Sequence, residues 1–306
     1  MRASASIAVV RWLLFVLLVV PLAAASLEST IFRWIDSEGI THYSDRSHPD
    51  AQKIRLKFET PYYYVQRVYD GDTILLKRGY RVRLLGINTP EVESHYRLEE
   101  AGGSAARDWL RQRLEGQKVR LEFDKERRDH YNRLLAYVFT ANGEHLNLRL
   151  VEEGLAVVNL IPPNFKYSDQ LVQAQEHAET AKRGLWGMSY YAPQPITNLE
   201  KGVYQRGWQR YQGVPVAIQI ERKYAHLVFS KHVDVRISRE QLPRFEELEH
   251  YLGRQIEVRG WVSRRQDYYS ILVSHPSGIK LLFKKAGLER RSKLRLFALR
   301  HGAESW

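Results

Sequence analysis

Three short segments set acidic and basic residues beside turn formers: Asp70-Gly71-Asp72-Thr73, then Arg83 onward to Asn88-Thr89-Pro90-Glu91, then Asp129-His130-Tyr131-Asn132-Arg133. Hydrolysis of a phosphodiester needs a base for the attacking water, cationic donors for the oxygens on phosphorus and, in many sites, a hard metal ion. Carboxylates can act as the base and as metal ligands. The planar guanidinium fork donates two hydrogen bonds to phosphate oxygens. Each segment alone has a plain structural use, since Asp-Gly is a common hairpin turn and an Arg-Glu pair can be a salt bridge. Only the three together point to phosphodiester chemistry.

Taken in order, the segments resemble the two signatures of the staphylococcal nuclease-like thermonucleases. The first spans Asp70-Gly71-Asp72-Thr73-Ile74 and Arg83-Leu84-Leu85 to Thr89-Pro90-Glu91; the second is Asp129 to Arg133 followed by Leu134-Leu135-Ala136-Tyr137-Val138-Phe139. The likeness runs over roughly residues 62–187, through Gly154-Leu155-Ala156 and Gly184-Leu185-Trp186. It implies an α+β fold, an OB-fold-like five-stranded β-barrel with three helices, and an endonuclease that cleaves DNA, with RNA as a further substrate, leaving 3′-phosphate ends. It implies Glu91 as general base and Arg83 and Arg133 as binders of the phosphate and its transition state. Calcium ligands fall on Asp72, residue 88 and the Thr89 carbonyl, with Asp70 in the same turn and Asp129 and Tyr131 as supporting residues. No small-molecule organic cofactor is implied.

The chain departs from the family in three places. Asn88 stands where the family usually has Asp, so a charged ligand becomes a neutral amide and calcium binding is expected to weaken. If that change disables the metal site, the alternative is a non-catalytic nucleic-acid-binding protein. His130 replaces a Lys or Arg, and Leu160 with Pro162 lie near where relatives carry aromatic residues that touch the base.

The elements that must position these residues are legible as alternating and helical patterns. Strands are expected at 64–68, 74–76, 82–87, 119–123 and 134–139, with helices at 99–114, 146–153 and 168–183, the latter two stopped by Gly154 and Gly184. The nuclease-like domain should occupy 60–190. Two prolines at 193 and 195 then suit a linker.

Beyond it, runs at 214–221, 225–229, 233–237, 256–262 and 269–273 alternate and read as a second small β-barrel within 198–285, looser in its OB-fold likeness. Charge separates the two parts: 19 basic and 18 acidic residues in 62–190, against 21 and 11 in 198–306. Basic grooves interleaved with aromatics suit single-stranded nucleic acid, and Trp208, Arg210, Trp261, Arg264 and Arg265 are the candidates here. A basic tail, 286–306, would also suit an anionic envelope surface.

The whole chain of 306 residues carries +12, is 44% hydrophobic and has no cysteine. Disulfide frameworks, thiolate nucleophiles and Cys-based metal sites are therefore excluded. Residues 1–25 combine Arg2 and Arg11, an apolar run and a closing Ala-rich stretch, the pattern of a secretory signal, so the protein is expected to be exported, periplasmic or secreted. Residues 26–58 read as a small β-hairpin domain and resemble a short N-terminal domain of unknown function found in secreted bacterial proteins.

Overall fold

The computed structural model describes residues 30–55, 61–93, 98–203 and 207–282. The expected signal at 1–25 and basic tail at 286–306 lie outside the described residues. The chain divides into two compact units, 1–60 and 61–306.

In the first unit, β1 (Thr30–Ile35) and β2 (Thr41–Ser44) form the expected hairpin, and β3 (Gln52–Arg55) adds a third antiparallel strand on the far side of β1. Asp36 shapes the turn, its Oδ1 accepting the amides of Glu38 at 3.0 Å and Ile40 at 2.9 Å. Trp34 stacks on His42 and His48, at 5.1 and 4.6 Å between ring centres. His42 is thus a strand-face residue, with Nε2 2.7 Å from Asp36.

The second unit begins with a closed barrel. Its strands are β4 (Tyr62–Asp70), β5 (Thr73–Leu76) and β6 (Arg81–Leu84), then, after a short β7 (Ile87–Asn88) and helix α1 (Gly103–Leu114), β8 (Lys118–Glu122) and β9 (Leu134–Thr140). They close in the order β4-β5-β6-β9-β8, with β6 and β9 parallel and the other pairs antiparallel. Val65, Ile74, Val82, Val119, Ala136 and Val138 are wholly buried inside, as alternation along half-buried strands requires. Helix α1 buries Ala106, Leu110 and Leu114, spaced four apart on one face. It starts later than the expected residue 99 because Gly102 takes a left-handed φ of 96°. Glu99 instead caps the helix from outside, its Oε1 accepting the Ser104 amide at 2.8 Å. Helices α2 (Leu146–Glu152) and α3 (Ser168–Thr180) follow, with the short β10 (Val157–Val158) between them pairing with β7. Lys182, at φ 52°, lies beyond the end of α3, which is shorter than expected.

The expected single strand at 82–87 is broken. Gly86 turns the chain at φ 76°, a left-handed conformation that favours glycine, with a Leu171 methyl close against it. Buried Asn147 of α2 holds the break: its Nδ2 donates to the Leu85 carbonyl at 2.8 Å and its Oδ1 accepts the Val138 amide at 2.9 Å.

The C-terminal part is one eight-stranded sheet. After β11 (Gln194–Pro195) and α4 (Thr197–Glu200) come β12 (Trp208–Gly213), β13 (Ala217–Ile220), β14 (Tyr224–Ser230), β15 (Val233–Ser238), β16 (Ile256–Arg265), β17 (Tyr268–Val273) and β18 (Ile279–Leu281). The order is β11-β12-β16-β17-β15-β14-β13, with β18 beside β16; this pairing is an open path rather than a ring. Its core holds Tyr211, Leu227, Val235, Ile256, Val258 and Ile271, all fully buried.

The segment expected as a linker is pinned at both ends. Tyr191 donates its hydroxyl to the Ala101 carbonyl at 2.9 Å, and Gln194 and Pro195 pair with Tyr211 and Gln212 of β12. Across the junction, the Arg259 guanidinium on β16 donates to both oxygens of Glu179 on α3, at 2.5 and 2.9 Å, and to Glu257 at 2.8 Å. Trp186 meets Trp208 edge to face at 5.8 Å.

Removing one partner of such a buried ion network strands the others, which costs about 3–5 kcal/mol. Arg259→Met is therefore expected to lower stability by that order and to split calorimetric unfolding into two transitions. A single transition at the wild-type midpoint would show that the clamp does not couple the two parts.

Candidate active site

The Asp70-Gly71-Asp72 turn joins β4 to β5. Asp70 Oδ1 accepts the Asp72 amide at 2.9 Å, the usual way a carboxylate shapes its own turn. Gly71 is required because a Cβ there would lie 2.6 Å from Thr89 Cγ2 and 2.7 Å from Ala106 Cβ. Asp72, only 5% exposed, is held on both oxygens: Oδ1 accepts the Thr73 hydroxyl at 3.1 Å, and Oδ2 accepts the Thr89 amide at 2.9 Å and Arg83 at 2.9 Å.

Strand register brings the arginines together. Thr73 pairs with Arg83 across β5 and β6, and Arg83 with Leu135 across the parallel β6 and β9, so Arg133 stands just ahead of the same strand end. Arg83 donates to the Leu84 carbonyl at 2.8 Å and to Asn88 Oδ1 at 3.0 Å besides its bond to Asp72. Arg133 is anchored through Nε to Asp129 at 2.8 Å, and its guanidinium lies 5.5 Å from the centre of the Tyr131 ring. Asp129 shapes the loop as well, accepting the Tyr131 and Arg133 amides at 3.0 and 2.9 Å, while Asn132 takes φ 62° to close it. Burial acts to raise the Asp129 carboxyl, but the Arg133 side chain and these amides outweigh it and hold the group below its ordinary range.

Glu91 is fixed through its backbone. Its amide donates to Glu100 Oε2 at 3.2 Å and its carbonyl accepts the Glu100 amide at 2.9 Å, against the start of α1. Asp70, Asp72, Arg83, Asn88, Thr89, Glu91, Asp129, His130 and Arg133 line one cavity of about 570 Å³, with Asn159, Ile161 and Pro162 on its other wall. Residues from four separate stretches of chain thus converge on one hollow. Leu160, by contrast, is buried in the barrel core.

Among the described residues no group of three or more His, Cys, Asp or Glu side chains is clustered as a metal site. The donor set is instead two carboxylates completed by a main-chain carbonyl and an amide. Burial and then the charge of Asp72 push the Asp70 carboxyl up to about 7, and a cation bound beside it would favour its ionised form. Oxygen donors of this kind fit a hard cation. Asn88 bears on that fit: its oxygen faces Arg83, and its Nδ2 donates to the Thr89 carbonyl at 2.9 Å. Turning the amide over would free that carbonyl and offer the Asn88 oxygen.

Residues 81–188 match the sequence profile described as staphylococcal nuclease homologue, and residues 18–57 match a domain of unknown function, DUF4124. The chain is 41% identical to the thermonuclease of Staphylococcus intermedius over 127 residues, covering 40% of this chain and 75% of that protein. The chain belongs to the staphylococcal nuclease family. The relatives of this nuclease include the thermonuclease of Staphylococcus hyicus, 39% identical over the same shares, and endonuclease YncB of Bacillus subtilis (strain 168), 32% identical over 58% of this chain and 90% of that one.

The five C-terminal candidates divide. Arg210 gives its guanidinium to both oxygens of Glu257, at 2.8 and 3.0 Å, and Trp208 is buried against Trp186, so both serve the junction between the two parts. Trp261, Arg264 and Arg265 are exposed on β16. Two positioning residues carry no mark of chemistry in the sequence. Asn147, the lone polar residue in the apolar face of α2, could have been singled out; Asn164 could not. Asn164 exchanges hydrogen bonds with the Glu126 backbone, at 2.9 and 3.0 Å, and so steadies the loop that leads to Arg133.

Overpacking a closed contact of this kind costs about 1–3 kcal/mol. Gly71→Ala is expected to lose that much in urea denaturation and to reduce cleavage by displacing Asp72 from Thr89. Unchanged stability and cleavage would mean that the turn has slack to absorb a methyl group.

Proposed function

We propose that this nuclease is an exported, calcium-dependent endonuclease that hydrolyses DNA and RNA to 3′-phosphate ends. The observation that carries the reading is the single cavity onto which Glu91, Arg83, Arg133 and the Asp70–Asp72 turn converge. Glu91 takes a proton from water as its oxygen bonds to phosphorus; the bond from phosphorus to the 5′ oxygen breaks, and that oxygen leaves and is protonated. Arg83 and Arg133 donate to the oxygens on which charge develops. Asp129 anchors the Arg133 fork through Nε, and its terminal nitrogens have no hydrogen-bond partner among the described residues. Asp72, Asp70, the Thr89 carbonyl and Asn88 would hold calcium, which when bound supplies positive charge beside the phosphate. Export rests on the pattern of residues 1–25, with the periplasm or the medium as destination.

The test is cleavage of single- and double-stranded DNA and of RNA with calcium and with chelator. Arg83→Ala and Arg133→Ala are expected to lose a hundredfold or more in kcat, as loss of a transition-state donor does, and Glu91→Gln to lose cleavage while the fold stays intact by circular dichroism. Wild-type rates in all three variants would overturn the assignment. Asn88→Asp adds a charged ligand and removes the amide donor from the Thr89 carbonyl, so less calcium should be needed for half-maximal rate. An unchanged calcium requirement would show that residue 88 does not bind the ion.

A further inference from the structure

A second cavity, of about 560 Å³, lies where β16 and β17 face the nuclease barrel, and two of its wall residues, Asn159 and Ile161, also line the catalytic cavity. The two hollows are therefore neighbours across one short rim. Ile161 on that rim is 60% exposed, and Trp261 in the second cavity is 39% exposed, both large apolar side chains left open to solvent. Arg236 lines the same cavity. Its Nη2 donates to Ser263 at 3.2 Å, its guanidinium lies 5.4 Å from the centre of the Tyr224 ring, its Nε is buried with no hydrogen-bond partner, and among the described residues it forms no ion pair. The contrast with Arg210 and Arg259 is plain, since both of those are consumed by carboxylates. The Nε is closed off, so an anionic ligand in the cavity would be met by the terminal nitrogens of the fork, where among the described residues Ser263 is the one hydrogen-bond partner.

We propose that this second cavity is a subsite for single-stranded nucleic acid leaving the catalytic cavity. The strand crosses the rim at Asn159 and Ile161, one base lies on Trp261, and a phosphate is met by Arg236. Bases paired inside a duplex keep their faces stacked on each other and cannot use an isolated indole, whereas splayed bases of a single strand can. The excess of 21 basic over 11 acidic residues in 198–306 fits the same partner. The choice of occupant rests on the nuclease reading of the neighbouring cavity, which this subsite extends.

Equilibrium binding of a fluorescein-labelled twelve-nucleotide oligo-dT strand to the full chain tests the subsite without requiring cleavage. Trp261→Ala is expected to weaken it about tenfold, the size of one lost base stack, and Arg236→Gln to weaken it and flatten its salt dependence. In cleavage, the ratio of kcat/KM for the twelve-mer over that for a dinucleotide should fall about tenfold in either variant. Equal affinity of wild type and both variants would overturn the subsite, and so would equal loss for a twelve-base-pair duplex. Absence of cleavage by wild type, with the binding losses present, would overturn the nuclease mechanism and leave the subsite standing.

Discussion

The catalytic half of this protein is organised around the buried carboxylate of Asp72. A charge removed from water has to be paired and hydrogen-bonded or it destabilises the fold. Here it is met by a main-chain amide from Thr89, a hydroxyl from Thr73 and the guanidinium of Arg83. Those three partners come from the strand after the turn, the neighbouring strand and the segment beyond β7, so satisfying one carboxylate fixes the relative positions of β5, β6 and the Thr89-Pro90-Glu91 corner. Gly71 permits the approach by having no side chain in the way.

A second constraint acts on the opposite wall. Parallel pairing of β6 with β9 needs a long crossover, and the chain uses it to build α1 and β8 before returning to deliver Arg133. The loop ahead of β9 is shaped by its own residues, Asp129 and Asn132, and tied from a distance by Asn164. The two arginines are held differently: Arg83 is engaged on three sides, while Arg133 is anchored at Nε. A phosphate entering the cavity would compete with Asp72 and Asn88 for Arg83 and meet less competition at Arg133.

The C-terminal sheet is joined to the nuclease barrel by charge as well as by aromatic packing. The chain Glu179–Arg259–Glu257–Arg210 runs across the junction with its central arginine buried. Arginine suits this role because its fork can donate to two carboxylates at once. Basic residues that a composition argument assigns to a nucleic-acid surface are thus partly spent on holding the domain in place, and the exposed ones are spread over several loops and strands, with Arg264 and Arg265 at the end of β16.

Local patterns in the chain were enough to locate the barrel strands and the three nuclease helices, because alternation, helical spacing and turn residues need no distant partner. The hairpin of the N-terminal unit was legible for the same reason. Tertiary structure decided where those patterns stop and what the charges face. The strand expected at 82–87 breaks where Gly86 turns left-handed and Asn147, 62 residues on from Leu85, donates to the Leu85 carbonyl. Strand β12 went unread because Trp208-Gln209-Arg210-Tyr211 lacks aliphatic alternation and is stabilised by its partner β16. Whether an arginine meets a phosphate or a carboxylate is a matter of its neighbours in space. Arg210 and Arg236 look alike in the sequence, and only the packing of β12 on β16 gives one of them a glutamate and leaves the other facing a cavity.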